Sequence, residues 1–319
     1  MTNVTCYGTG VIGSAWGAVF LKGGCKVTFY DISQEMLEDA KARLKHAMDF
    51  FVSQEQITKE HSDGLLENVS FTLDPAAAVK DADFIQENCP ENLDLKRKVL
   101  KTIETYCRPD AIIASSSSGF MPTDIAADAL HPERFIVGHP YNPVYVIPLV
   151  EICKGEKTSD ETVKAAKEFY TAAGKKTSVL KKEVPGYICN RIQAAVLREC
   201  FDLVDRGVAS VEDVDNAVTY SLALRWAIMG PHLVSHLGGG KTGFKGINTR
   251  LAPAMTSWLE DLASWTEYPE GYLDKAQAGI KEEMAHRAPG TGQTQEELGD
   301  YLNNGVMAIL KYHAQRDRL

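Results

Sequence analysis

Residues 4–13 read Val4-Thr5-Cys6-Tyr7-Gly8-Thr9-Gly10-Val11-Ile12-Gly13, and from Ser14 a helical pattern follows in which Gly17 and Ala18 keep the helix slim. The spacing is GxGxxG, lodged directly between a strand and a helix. The first glycine permits the tight turn, the second lets backbone approach a pyrophosphate, and the third allows close helix–strand packing, with the phosphates resting on the helix N-terminus. Gly8, Gly10, Val11, Ile12 and Gly13 are therefore the candidate cofactor-contacting residues. Lys26-Val27-Thr28-Phe29-Tyr30 reads as the second strand, because β-branched and aromatic residues cluster after a Gly23-Gly24 break. Asp31 closes that strand 23 residues beyond the first glycine, where a carboxylate can accept hydrogen bonds from both adenosine ribose hydroxyls. No Arg or Lys follows in Ile32-Ser33-Gln34-Glu35 to receive a 2′-phosphate, so the expected cofactor is NAD, not NADP.

Working outward, Met36, Leu37, Ala40, Leu44, Ala47, Met48 and Phe51 recur every three or four residues and predict a long amphipathic helix. The polar stretch 53–67 continues it as a helix-turn-helix excursion. Further strands are expected at 83–86, 111–114, 135–138 and 177–180, with helical patterns between them and a helix from the capping Ser159 to Gly174. After Pro185-Gly186 the strands stop and only helical patterns remain, one opened by the capping-box stretch Ser210-Val211-Glu212-Asp213. The expected architecture is an α/β Rossmann-type N-terminal domain (1–184) with a mostly parallel sheet, followed by an all-α C-terminal domain (185–319).

Composition excludes several classes of function. The chain has 319 residues, 44% hydrophobic and 24% charged, which suits a globular protein of about two domains. A net charge of −9 argues against nucleic acid and anionic membranes as partners, and no stretch approaches the roughly 20 apolar residues of a membrane span. The seven cysteines form no CxxC pair and no His is spaced to complete a zinc site, so reduced thiols and no metal are expected. His232 and His236 lie four apart on a predicted helix but lack an acidic or third His partner, and are read as packing or cleft residues and not as ligands. Neither the N-terminal Met1-Thr2-Asn3 nor the C-terminal Asp317-Arg318-Leu319 carries a targeting signal, so a cytoplasmic location is expected.

The segment Gly138-His139-Pro140-Tyr141-Asn142-Pro143 continues to Glu151, downstream of a serine cluster Ser115-Ser116-Ser117-Ser118 and upstream of Pro185-Gly186-Tyr187-Ile188-Cys189-Asn190-Arg191. A histidine suits the proton transfer that accompanies oxidation of an alcohol, because its ordinary pKa lies near neutrality, and a carboxylate on its far nitrogen fixes the tautomer. With the N-terminal glycine motif, these segments resemble the L-3-hydroxyacyl-CoA dehydrogenase superfamily along essentially the whole chain. The resemblance implies that His139 is the general base, that Glu151 orients it, and that Asn190 and Ser118 assist, although four adjacent serines leave the acting one open. It also implies nicotinamide-side contacts in Asn88-Cys89-Pro90-Glu91-Asn92-Leu93-Asp94-Leu95-Lys96, where Glu91 and Lys96 are candidates. Its helical domain implies a homodimer.

One stretch departs from the acyl-CoA members of the superfamily. Where they usually carry a Gly- and Pro-containing segment, this chain reads Leu222-Ala223-Leu224-Arg225-Trp226-Ala227-Ile228-Met229-Gly230-Pro231. A fixed cation at Arg225 suits a free carboxylate through bidentate hydrogen bonds and matches a neutral thioester poorly. The stretch resembles the branch containing L-carnitine and L-gulonate dehydrogenases, the latter related to lambda-crystallin. Trp226, Tyr141 and Tyr145 could offer aromatic faces to a trimethylammonium, each good contact worth about 0.5–2 kcal/mol, and Asn142 completes the candidate substrate set. The expected substrate is a small 3-hydroxy carboxylate, with L-carnitine preferred over L-gulonate or a 3-hydroxyacyl-CoA; a non-catalytic, crystallin-like or NAD-sensing role is the remaining alternative.

Overall fold

The computed structural model describes residues 1–316; the tripeptide Asp317-Arg318-Leu319 lies outside the described residues. The chain divides into two compact units, Met1–Arg191 and Ile192–Leu319.

The first unit is built on one eight-stranded sheet. In chain order the strands are β1 (Asn3–Tyr7), β2 (Lys26–Tyr30), β3 (Val69–Thr72), β4 (Phe84–Glu87), β5 (Ile112–Ser115), β6 (Phe135–Pro140), β7 (Leu149–Lys154) and β8 (Lys176–Leu180). They lie side by side as β3-β2-β1-β4-β5-β6-β7-β8. Every pairing is parallel except β6 with β7. The expected fold class, a mostly parallel Rossmann-type sheet followed by helices, is the one observed.

Side chains alternate across the sheet, so the strands together feed two cores. Val4 and Cys6 of β1, Phe84 of β4 and Ile136 of β6 enter one, packed under helices α1 (Val11–Lys22) and α2 (Gln34–Ser53). Tyr7, Ile85, Phe135 and Val137 enter the other, with Val99, Leu100 and Ile103. Strand β3 is missing from the sequence reading because its four residues Val-Ser-Phe-Thr are only partly buried and too few to show an alternation. Tyr145 is a correction of a different kind. Its ring stands against Phe50 and Phe51 of α2, at 5.2 and 6.2 Å, so it belongs to the core and not to a ligand surface.

All the secondary-structure elements among the described residues of the second unit are helices. Ser210 caps Val211–Ala217 by accepting from the N–H of Asp213, as its spacing predicts. The next six residues, Val218–Ala223, form a π-helical turn that runs into Leu224–Ile228. Its buried cluster is small: Val204, Val214 and Tyr272. Among the described residues no disulfide is formed; Cys6, Cys25 and Cys153 are buried and the other four thiols are half-buried. Among the described residues no helix is long and apolar enough to cross a membrane, and no group of three or more His, Cys, Asp or Glu could hold a metal ion.

Candidate active site

Strand order reverses between β1 and β4, and in open parallel sheets the ligand crevice opens at the C-terminal ends of such a pair. Beyond β1, Gly8 takes φ +93° while its N–H donates to Tyr30 O at 2.9 Å. Gly10 then stands at the N-cap of α1 with no side chain capping the helix, which leaves first-turn N–H groups for an external acceptor. A Cβ on Gly13 would lie 2.0 Å from Gly8 O, and one on Gly8 would lie 3.0 Å from the carbonyl of Asn88. A Cβ on Gly10 would meet nothing within 4 Å. The protein's own packing thus explains two of the glycines, and the space beside the middle one is left open at the helix end. This cradle fits a dinucleotide pyrophosphate. Val11, at the first helical position, and Ile32, which the sequence reading passed over, are exposed beside it.

Asp31 is more engaged than its position in the sequence suggests. Its Oδ2 accepts from both the N–H and the hydroxyl of Thr9, each at 2.7 Å, and its Oδ1 accepts from the N–H of Ile32 at 2.8 Å. Oδ2 is filled by those two donors, so room for a ribose hydroxyl remains on Oδ1.

Lys96 is not a surface cation. It is 1% exposed, and its ammonium reaches Glu87 at 3.1 Å, the carbonyl of Cys89 at 3.1 Å and Glu91 at 3.4 Å. Its three donors are thereby used at the end of β4 and in the loop that follows. Glu91 Oε1 in turn accepts from the hydroxyl of Ser117 (2.6 Å) and from the N–H groups of Ser118 (3.0 Å) and Gly119 (3.1 Å). Burial works against its charge, but the Ser117 hydroxyl, Lys96 and the two N–H groups hold its pKa below the usual carboxylate range.

The same loop separates the four serines. Ser115 donates to Glu87, and Ser117 to Glu91. Ser116 donates to Asn88 at 2.7 Å while accepting from Trp16 and Gln86. Ser118 is exposed, and its hydroxyl has no hydrogen-bond partner among the described residues.

His139 leaves β6 directly opposite Glu151 on the antiparallel β7, a register that needs no loop to bring the pair together. His139 Nδ1 lies 2.9 Å from Glu151 Oε2, with the histidine 5% exposed and the glutamate fully buried. Glu151 Oε1 accepts from the N–H groups of Ile188 (2.9 Å) and Cys189 (3.0 Å). Burial pushes the Glu151 pKa up, but the His139 hydrogen bond and those two N–H groups outweigh it and leave the pKa lowered. An ionised carboxylate only accepts, so the ring proton sits on Nδ1 and Nε2 is the basic atom. The N–H pair is aimed by Tyr187, a buried residue that the sequence did not mark. Tyr187 takes φ +54° just after Gly186 at +74°, its hydroxyl donates to Phe120 O at 2.6 Å, and its ring stands 5.2 Å from that of His139.

Tyr141 and Asn190 join this group: the tyrosine hydroxyl donates to Asn190 Oδ1 at 2.8 Å, and Asn190 Nδ2 donates to Ser118 O at 2.9 Å. Ser118, His139, Tyr141, Glu151 and Asn190 therefore form one connected constellation, with Asn142 exposed on the same loop. Arg225 and Trp226 belong to the second unit. Arg225 is exposed, its Nε reaches only Ser221 O at 3.4 Å, and no carboxylate pairs with it among the described residues. Trp226 is 36% exposed and so is not a core side chain.

A switch-point crevice with a glycine cradle, beside a carboxylate-oriented histidine, defines an NAD-dependent oxidoreductase. Residues 3–184 match the model of the 3-hydroxyacyl-CoA dehydrogenase NAD binding domain, and residues 186–275 match that of the 3-hydroxyacyl-CoA dehydrogenase C-terminal domain. The chain belongs to the 3-hydroxyacyl-CoA dehydrogenase family. It is 40% identical over 316 residues to L-carnitine dehydrogenase of Streptomyces coelicolor, covering 97% of this chain and 94% of that protein. It is also 40% identical over 272 residues to a 3-hydroxyacyl-CoA dehydrogenase of Gibberella moniliformis, covering 83% of each. Among solved structures, 5-formyl-3-hydroxy-2-methylpyridine 4-carboxylic acid 5-dehydrogenase, an NAD+-dependent dismutase, superposes with a TM-score of 0.81 at 30% identity, over 98% of both chains. The protein is an NAD-dependent 3-hydroxy acid dehydrogenase.

Proposed function

We propose that the chain catalyses the reversible oxidation of L-carnitine to 3-dehydrocarnitine, with His139 as general base and Glu151 as the residue that orients it. The observation that carries the chemistry is the 2.9 Å His139–Glu151 contact, which leaves Nε2 as the basic atom. NAD+, when bound, accepts the hydride from C3 of the alcohol. His139 takes the hydroxyl proton on Nε2, and the imidazolium is stabilised by ionised Glu151 on the other side of the ring. Ser118 is the serine of this reading, because its hydroxyl alone among the four is uncommitted; together with Asn190 it hydrogen-bonds the substrate oxygen. In the dinucleotide cradle, Gly8, Gly10, Val11, Ile12 and Gly13 take the pyrophosphate, and Asp31 takes a ribose hydroxyl. Glu91 and Lys96 shape the nicotinamide side by holding the Ser117–Gly119 turn.

The substrate choice is supported by the unpaired, exposed Arg225 beside the half-exposed Trp226, and by L-carnitine dehydrogenases among the relatives. Arg225 is assigned to the free carboxylate and Trp226 to the trimethylammonium, and Tyr141 and Asn142 are the substrate-side candidates of the first unit. The working form is a cytoplasmic homodimer, with the 1–184 segment for cofactor and the 185–319 segment for substrate selection and pairing. Support for the dimer comes from the helix Gly243–Asp261 and its exit, where Leu251, Met255, Trp258, Leu259 and Leu262 form one apolar stripe that is entirely exposed in the single chain.

The test is the appearance of reduced nicotinamide absorbance when L-carnitine, L-gulonate or 3-hydroxybutyryl-CoA is added to protein and NAD+. Turnover with carnitine and not with the other two is expected. Turnover with only one of the others overturns the substrate reading and keeps the His139–Glu151 mechanism.

A further inference from the structure

The connection from Tyr141 to Asn190 to Ser118 brings three distant segments onto one carboxamide. The two ends of a carboxamide have nearly the same shape and opposite hydrogen-bonding character, so a side chain held by neither end can present either. Here both ends are held. Ser118 O only accepts, which fixes Nδ2 on its side, and the Tyr141 hydroxyl must then donate to Oδ1. One N–H on Nδ2 remains for a further partner.

We propose that Tyr141 is a positioning residue: its hydroxyl, acting with the Ser118 carbonyl, locks the Asn190 carboxamide so that Asn190 offers the substrate oxygen a donor and never an acceptor. The oxygen of a secondary alcohol becomes a carbonyl oxygen, so it gains acceptor character along the reaction. An N–H facing it strengthens with that change, whereas a flipped carboxamide would oppose lone pair to lone pair. Donation into Oδ1 also polarises the amide and makes its N–H a better donor. Burial, with Cys189 and Glu151 close by, pushes the Tyr141 phenol pKa up, so the hydroxyl keeps its proton over any working pH. The tyrosine ring stands 5.1 Å from the His139 ring at 63°, so Tyr141→Phe removes the hydroxyl and retains the packing against the base.

The proposal rests on Asn190 contacting the substrate oxygen, and a double-mutant cycle separates the two ideas. Tyr141→Phe, Asn190→Ala and the double variant are compared with the full-length protein in steady-state turnover of L-carnitine, or of the 3-hydroxy acid that replaces it if the native chain leaves carnitine untouched. Tyr141→Phe is expected to lower kcat about 10-fold with the KM for NAD+ and the Tm unchanged, and the double variant to be no slower than Asn190→Ala alone. An equal further loss in the Asn190→Ala background would mean that the Tyr141 hydroxyl acts independently of Asn190, and the proposal falls. A Tyr141→Phe variant as fast as the native chain overturns it as well. Full turnover by Asn190→Ala would remove the assigned contact of Asn190, and with it anything for Tyr141 to position.

Discussion

The two units differ in how far each completes its own interior. In Met1–Arg191 every strand contributes to one or both of two cores, and even charged groups such as Lys96, Glu151 and Lys175 are buried with partners. Among the described residues of the second unit, only Val204, Val214 and Tyr272 form a buried cluster, while Trp258 is 55% and Leu259 60% exposed. A parallel sheet covered on both faces closes by itself, because helices on either side meet the alternating side chains. A set of helices with apolar stripes closes only when each stripe finds another surface. The proposed acid–base chemistry, which needs fixed geometry and low polarity, falls in the closed unit, and the proposed association in the open one.

The sharpest way to test that division is to remove the base and leave the scaffold. His139→Gln retains a side chain able to donate to Glu151, and it is expected to lower kcat by about 10²- to 10⁴-fold, the usual contribution of a positioned acid–base group. The affinity for NAD+, measured by titration of protein fluorescence, is expected to stay within about 2-fold, because His139 lies outside the glycine cradle. A variant that turns over within 10-fold of the native rate would remove His139 as the base.

Next in size is the pH dependence of a buried cation in the closed unit. Lys175 is 5% exposed; its Nζ donates to Val144 O and Ile147 O, each at 2.7 Å, and stands 5.1 Å from the Trp16 ring. Burial, aided by nearby Lys22, lowers its pKa to about 7. Unfolded, the same lysine titrates near 10.4. Between those values the unfolded chain holds a proton that the folded chain has released, so stability rises with pH through that window, by at most about 1.4 kcal/mol per pH unit. Below pH 7 both states are protonated and the full cost of burying the ammonium remains. Urea unfolding at pH 7 and pH 9 should show the rise, and Lys175→Met should remove this part of it. An unchanged slope in Lys175→Met would mean that Lys175 is not the titrating group.

The open unit is tested on its exposed stripe. Met255→Asp with Trp258→Asp places two charges where the proposed partner would sit, and loss of a well-packed anchor typically costs about 2 kcal/mol or more, a weakening of at least about 30-fold. Sedimentation should show the native chain as a dimer and the variant shifted to monomer at micromolar concentration, with NAD+ binding retained. A native chain that sediments as a monomer, or a variant that remains a dimer, would sever the exposed stripe from association.

The same contrast explains what the sequence disclosed. Local chemistry was legible: the Gly8–Gly13 turn, the strand before it, and the caps Ser159 and Ser210 depend on residues within one turn of each other. The family motif supplied His139 and Glu151, and the register of β6 against β7 joins them. The occupation of Asp31 Oδ2 by Thr9 was not legible, because it depends on how a loop from β1 folds over the end of β2. Nor was the inward commitment of Lys96, which looks like any charged helix start until Glu87 is seen beneath it. Tyr187 escaped notice because an aromatic residue at positive φ follows no local preference and is held there by tertiary contacts. Tyr145 misled for the converse reason: an aromatic near a candidate site is as readily a core residue, and here Phe50 and Phe51 claim it.

The smallest expected effect separates what the closed unit needs for itself from what it keeps open for its cofactor. Gly13→Ala would drive a methyl into Gly8 O and is a test of folding. Gly10→Ala is different, since its added methyl meets no protein atom within 4 Å and its φ of −59° suits alanine. The substitution should leave the Tm within about 1 °C, because it removes no contact and creates no clash. NAD+ affinity should fall about 10-fold, roughly 1.4 kcal/mol, because the backbone at that glycine is where a pyrophosphate must approach most closely. A variant that binds NAD+ normally would place the pyrophosphate elsewhere on the helix end and leave Gly10 without a purpose in the cradle. One that loses stability along with affinity would show that the middle glycine, like its neighbours, serves the interior of the fold.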